Sequence, residues 1–258
     1  MKRNILIFGA LLMCSVFLQA NEQVVVVKKD NSQAKGILLD VDGAGTLTIQ
    51  DGQFKTKLKS SEYAYARIAQ EPADYSNAEK LLKSGKFAEA EKLYSQVAAS
   101  KYKFLGYELP ALYGKATCLE KLGKDDDAIK ILTSVTKSEP VDKQLDLHFY
   151  NSKRLLSDIY IKQNKFDLAY PVLTELGNTN SDNLAAYSFN ARAEILTKQG
   201  KKKDAVLMYM RTALLFDPKI SERGDSLVNI VKLLKEMNDT RAIKFEEMLK
   251  KEHPDKAK

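Results

Sequence analysis

The chain has 258 residues, 44% of them hydrophobic and 29% charged, with 12 Gly, 6 Pro and no Trp. That length allows one or two domains with a buried core, and the low Gly and Pro content excludes collagen-like and low-complexity material. A formal charge of +7 suits acidic partners, but the lysines are interspersed with Glu and Asp, which reads as a solvated surface rather than a nucleic-acid tract.

Lys2 and Arg3 precede an apolar run from Ile5 to Leu18. The run is shorter than the roughly 20 residues of a membrane span. It predicts a signal peptide over residues 1–20, cut after Ala20, and so an exported protein of a bacterial periplasm or cell envelope with no span left after cleavage; Leu18 three residues before the cut leaves an uncleaved anchor as the alternative. Met13 before Cys14 does not fit a lipidation site, where a small residue is expected. Removing the segment takes Lys2 and Arg3 with it, so +7 becomes +5, and leaves one cysteine, Cys118. In "ATCLEKLG" that thiol reads as a small hydrophobe inside a helix, not a nucleophile.

Residues 21–71 predict a small β module. "QVVVVKK", "GILLDV", "TLTIQ", "FKTKLK" and "EYAYARI" are short runs, several of them alternating at period two. Turn-forming "DNSQ", "DGAG" and "DG" separate the first four. This is the pattern of antiparallel strands joined by tight turns, of a size that resembles SH3-like or Sm-like barrels. "DVDGAGTLTIQD" imitates a calcium loop, yet Ala44 stands where a ligand oxygen belongs and Asp51 where a longer Glu is usual. The expectation there is a hairpin turn.

From residue 72 to 258 helix formers dominate, with apolar residues spaced by three and four. "LLKSGKFAEAEKLY", "LEKLGKDDDAIKIL", "YIKQNKFDLAYPVL" and "LTKQGKKKDAVLMY" align on Gly85, Gly123, Asn164 and Gly200, at intervals of 38, 41 and 36 residues. Asn238 centres a degenerate fifth copy. The Gly or Asn supplies the left-handed residue that ends a helix. Ala90, Ala128, Ala169 and Ala205, five residues later, leave room for the paired helix. Tyr94, Leu132, Leu173 and Tyr209 lie one turn further on the same face. Ala78, Ala116, Ser157 and Ala193 stand seven residues before each turn. Each copy predicts a helical hairpin that cannot bury its own apolar face, so about five of them stack into a solenoid.

This pattern resembles the tetratricopeptide repeat family over roughly residues 73–255, with Pro140 and Pro218 closing two copies. The spacing exceeds the family's 34 residues, its usual Trp is absent, and Pro171 inside a second helix is expected to kink it. The resemblance implies a mainly helical solenoid behind the β module, and a non-catalytic scaffold or adaptor of the cell envelope. Such superhelices hold an extended protein or peptide partner on a concave face lined by their first helices. Lys83, Lys121, Lys162 and Lys198 each stand two residues before the turn and would form a basic ladder there. Tyr113, Arg154 and Asn190 share an earlier position. A ladder of this kind favours an acidic segment or a C-terminal carboxylate; the same lysines also complement the helix C-termini.

No enzymatic machinery stands out. His148 and His253 are the only histidines, "SGKF" lacks the P-loop pattern, and neither HExxH nor GxSxG occurs. No cofactor or metal is implied, and no nucleic-acid partner is expected. Two alternatives remain: an envelope or surface binder of an anionic polymer, acidic glycan or nucleic acid, and an accessory subunit of an envelope enzyme.

Overall fold

The computed structural model describes residues 22–257; the expected signal peptide and Cys14 lie outside them. Five strands come first: β1 (Gln23–Lys28), β2 (Gln33–Val41), β3 (Leu47–Asp51), β4 (Phe54–Leu58) and β5 (Tyr63–Ile68). They form one antiparallel sheet in the order β4-β3-β2-β1-β5. The last strand returns to pair with the first, Val24 opposite Ile68 and Val26 opposite Ala66. β4 and β5 are therefore the edges, and the sheet is open between them. Alternation puts Val24, Val26, Leu47, Ile49 and Leu58 inside. At "DGAG" the Asp42 carboxylate accepts the Ala44 and Thr46 amides at 2.9 and 2.8 Å. Those bonds hold the carboxyl below its ordinary range and close a hairpin turn.

Ten helices follow as five hairpins. They are α1 (Ala73–Lys83) with α2 (Phe87–Ala99), α3 (Glu108–Lys121) with α4 (Asp125–Val135), α5 (Asp146–Lys162) with α6 (Phe166–Gly177), α7 (Asp182–Lys198) with α8 (Lys202–Leu215), and α9 (Ser221–Glu236) with α10 (Ala242–Glu252). The turn residues Gly85, Gly123, Asn164, Gly200 and Asn238 all have positive φ, between 54 and 77°. Each turn closes with the same pair of bonds. In the first, the Lys86 amide donates to the Leu81 carbonyl and the Gly85 amide to Leu82. In the last, Asp239 and Asn238 donate to Leu234 and Lys235. This is the Schellman motif, repeated in register five times.

The open space around Gly123 makes it the cleanest probe of that motif. Gly123→Asn is expected to cost little, whereas Gly123→Val should cost about 1–2 kcal/mol, since only backbone strain differs. Urea unfolding midpoints of the two variants check this.

Ala90, Ala128, Ala169 and Ala205 are fully buried, as are Tyr94, Leu132 and Leu173. The apolar core runs across hairpin boundaries: Leu119, Leu132, Leu156, Leu173, Tyr187 and Ile195, drawn from three hairpins, belong to one cluster. Stacking therefore supplies the burial that a lone hairpin lacks. Cys118 is buried and its thiol is pushed up to about 11 by desolvation, so it acts as a small hydrophobe. α6 continues through Pro171 from Phe166 to Gly177 without a break.

First helices of successive hairpins touch one another, α3 with α5 and α7 with α9, while each second helix packs mainly on the first helices flanking it. The stack therefore curves towards its first helices, which form the inner face. At the far end residues 253–257 fold back over α9. Arg223 binds Glu252 through both carboxylate oxygens at 2.8 and 2.9 Å. Lys256 pairs with Asp225, and Ala257 packs against the terminal core. The tail thus covers the last repeat, as the polar end of a solenoid requires.

The sheet is fixed to the helices. The connector between α2 and α3 makes a 3-10 turn (Lys101–Leu105), and its Leu105, 1% exposed, sits in the core of the sheet with Val24, Leu47 and Ile68. Arg67 on β5 makes a two-pronged ion pair with Asp142, a carboxylate buried in the connector before α5. Glu22 accepts from Lys101 and Tyr102 at 2.9 and 3.0 Å.

Candidate functional site

The inner face carries a polar floor where α5, α7 and α9 meet. Asp158 and Glu194 lie one turn before Lys162 and Lys198, on the same helix faces. Arg154 stacks over the Tyr187 ring at 4.3 Å and donates to Glu222 at 3.1 Å. Asn190 donates to the Glu222 carbonyl at 2.7 Å and accepts from the Ser226 hydroxyl at 2.6 Å. The Tyr187 hydroxyl donates to Asp158 at 2.6 Å and lies 2.7 Å from the Ser157 hydroxyl. Arg154, Asp158, Tyr187, Asn190 and Glu222 bound a cleft of about 210 Å³. Their bonds fix the rotamers in advance, so a ligand lying on them orders little further side-chain freedom.

Asp158 is open to solvent on one side and walled in by α5 and α7 on the others. That partial desolvation raises its carboxyl pKa, against the opposing Tyr187 hydrogen bond and the Arg154 charge. A raised folded pKa means that ionisation is harder in the folded chain than in the unfolded one. Stability therefore falls as pH rises through the folded pKa and is regained as pH drops towards the unfolded value, about 3.9. Asp158→Asn keeps an acceptor for Tyr187 and removes the charge. Its melting temperature should exceed wild type at pH 7, with the gap closing near pH 4. A constant gap across that range contradicts the assignment.

The seven residues singled out by register fall as follows. Arg154 and Asn190 come together around Glu222, on the cleft. Tyr113 packs edge-to-face on His148, ring centres 6.0 Å apart. Lys121 meets Glu120 at 3.1 Å. Lys162 meets Glu120 at 3.5 Å and Asp125 at 3.0 Å. Lys198 meets Glu194 at 3.8 Å. Lys83 is exposed at the end of α1 and has no ion pair among the described residues. The inner face thus carries a row of lysines interleaved with the chain's own carboxylates. Tyr187, Glu222 and Ser226 were not singled out from the sequence, because no local pattern brings α9 against α5 and α7. Asp158 and Glu194 had a signal: both stand four residues before a ladder lysine.

A second concavity lies where the sheet meets the repeats, about 270 Å³, lined by Arg67, Tyr75, Tyr107, Pro110, Leu145 and His148. Burial pulls the His148 pKa down, so the ring is neutral at pH 7, and its Nδ1 is buried without a partner. Among the described residues no group of His, Cys, Asp and Glu is arranged to hold a metal ion.

A curved stack of helical hairpins with a pre-bonded polar inner face defines a helical-repeat solenoid. Residues 81–147 match the model of the tetratricopeptide repeat family. The left-handed turn repeats in all five hairpins and the buried small residues in the first four, so the helical part is a TPR-like solenoid of helical hairpins preceded by a five-stranded β module. Among solved structures the chain resembles nearly identical TPR-like repeats of a putative kinesin light chain from Podosopora anserina, at 16% identity and TM-score 0.51, over 70% of this chain and 93% of that one. A point variant of that protein gives 16% identity and TM-score 0.54, over 70% and 92%. At such identity the likeness is one of fold. No curated protein matches the sequence.

Proposed function

We propose that the protein is a non-catalytic scaffold or adaptor that holds an extended segment of a partner protein on the inner face of its repeats. The observation that carries this reading is the open, hydrogen-bonded floor of Arg154, Asp158, Tyr187, Asn190 and Glu222. It is solvent-facing and polar, and hydrogen bonds position its side chains in advance. Tyr113 and the rim lysines Lys83, Lys121, Lys162 and Lys198 extend the surface. The carboxylates beside three of these lysines set the ligand chemistry. An acidic group finds unshared positive charge at Lys83, and basic groups find Asp158 and Glu194. A segment of mixed sign therefore fits better than a uniformly acidic one. The same ion pairs lower the potential on which an anionic polymer would depend. The export-signal pattern of the Lys2–Leu18 segment supports a bacterial cell envelope as the setting of this scaffold.

Affinity capture from envelope fractions tests the reading. Lys83 and Lys121 are the residues to change, because Glu120 keeps Lys162 when Lys121 is altered, whereas altering Lys162 would strand Asp125. The Lys83→Glu, Lys121→Glu double variant is expected to retain at least about tenfold less of the captured partner, the effect of losing ~1.4 kcal/mol, with unchanged circular dichroism. Equal recovery by variant and wild type contradicts it.

A further inference from the structure

We propose that the β4 edge is a second docking surface, which takes an extended partner segment of alternating acidic and apolar residues as an added strand. It is separate from the inner face of the repeats. The sheet ends at β4 on one side and β5 on the other. The β5 edge is screened by the α2–α3 connector, where Gly106 approaches the Ala66 carbonyl. β4 packs principally on β3, and Phe54, Lys55, Thr56 and Lys57 are all exposed.

The register fixes which groups are free. Two residues, Gly52 and Gln53, join β3 to β4, with Asp51 opposite Phe54 and Gly52 at φ 56°. In a two-residue hairpin the closing pair exchanges backbone bonds, and bonded pairs alternate along the ladder. Phe54, Thr56 and Leu58 therefore point their backbone groups at β3, while Lys55 and Lys57 point theirs outward, unpaired. Side chains alternate as well. Leu58 is in the core, so Phe54 and Thr56 share its face, and Phe54 stands 71% exposed beyond that core. Lys55 and Lys57 share the other face, opposite the neutral Gln50 and Thr48.

Charge selects the occupant. Lysines on an edge strand oppose pairing with a second copy, because antiparallel β4 on β4 sets Lys55 against Lys57. The same lysines favour a strand whose acidic side chains fall on their face and whose apolar ones fall beside Phe54. Such a strand satisfies the free amides and carbonyls of Lys55 and Lys57, neutralises both ammonium groups and covers the Phe54 ring.

Hydrogen exchange at the Lys55 and Lys57 amides reads this directly in the full chain. The probes are two acetylated, amidated hexapeptides, Glu-Val-Glu-Val-Glu-Val and Lys-Val-Lys-Val-Lys-Val. The acidic peptide, at about nine times its Kd, should slow exchange at both amides about tenfold, and the basic peptide should not. The Lys55→Glu, Lys57→Glu variant, with its far-ultraviolet circular dichroism unchanged, should reverse the preference. No slowing by the acidic peptide at millimolar concentration, equal slowing by both peptides, or protection confined to β5 overturns the proposal.

Discussion

Leu105→Ala is expected to lower the unfolding free energy by about 2–5 kcal/mol, the cost of truncating a buried leucine whose site cannot fully collapse. The loss should fall on the sheet first. Leu105 comes from the connector between α2 and α3, yet its side chain completes a cluster with Val24, Leu47 and Ile68. A five-stranded sheet of this size has little core of its own, and a single missing side chain removes a large share of it. Hydrogen exchange should show protection lost at Val24 and Val26, while Leu227 and Ile230 in the last hairpin keep theirs. The Arg67–Asp142 pair contributes to the same junction, but Arg67 is 31% exposed and recovers water when the pair breaks, so its share is discounted. A cost below about 0.5 kcal/mol for Leu105→Ala, within the range of an ordinary surface change, would show that the sheet stands alone.

Gly114→Ala carries the second large effect, about 1–3 kcal/mol from overpacking. Gly114 lies in α3 directly against the Tyr94 ring of α2. An added Cβ there would come within 2.5 Å of two ring carbons. The ring cannot retreat: it is fully buried, and its hydroxyl donates to Glu79 at 2.5 Å. Burial and the Glu79 charge both hold that hydroxyl protonated, far above the ordinary tyrosine range. The test is a double-mutant cycle. Tyr94→Leu should be destabilising alone, and in its background Gly114→Ala should cost at least about 1 kcal/mol less than in wild type, a coupling typical of residues in contact. Additive effects would mean that the close approach is not what fixes glycine at this position.

Much of the repeat was legible because its causes are local. A left-handed residue, an alanine five positions later and an aromatic or leucine after that all sit within one hairpin, and the turn hydrogen bonds repeat in the same register. The degenerate copy at Asn238 keeps only the turn, since Asn tolerates positive φ; five positions later stands the exposed Ile243 in place of the buried alanine. The strands were legible from alternation. Hidden from the sequence were contacts between distant segments. Leu105 looks like part of a connector, and nothing near Arg67 names Asp142 as its partner. The ladder lysines were visible as a register, but the pairing of Lys162 with Glu120 and Asp125 arises only when neighbouring hairpins stack. Arg154 and Asn190 were visible singly, whereas the floor they form needs Tyr187, Glu222 and Ser226, brought together only when α5, α7 and α9 stack.

The inner face as the holding surface is the centre of the account, and site-specific photo-crosslinking in cells tests it most directly. A photoreactive residue is placed at Tyr113 or Glu194 on first helices, and at Leu168 or Leu207, exposed on second helices. The account predicts one common partner adduct from positions 113 and 194, and none from 168 and 207. Adducts from the second helices alone, or none from positions 113 and 194, would contradict it.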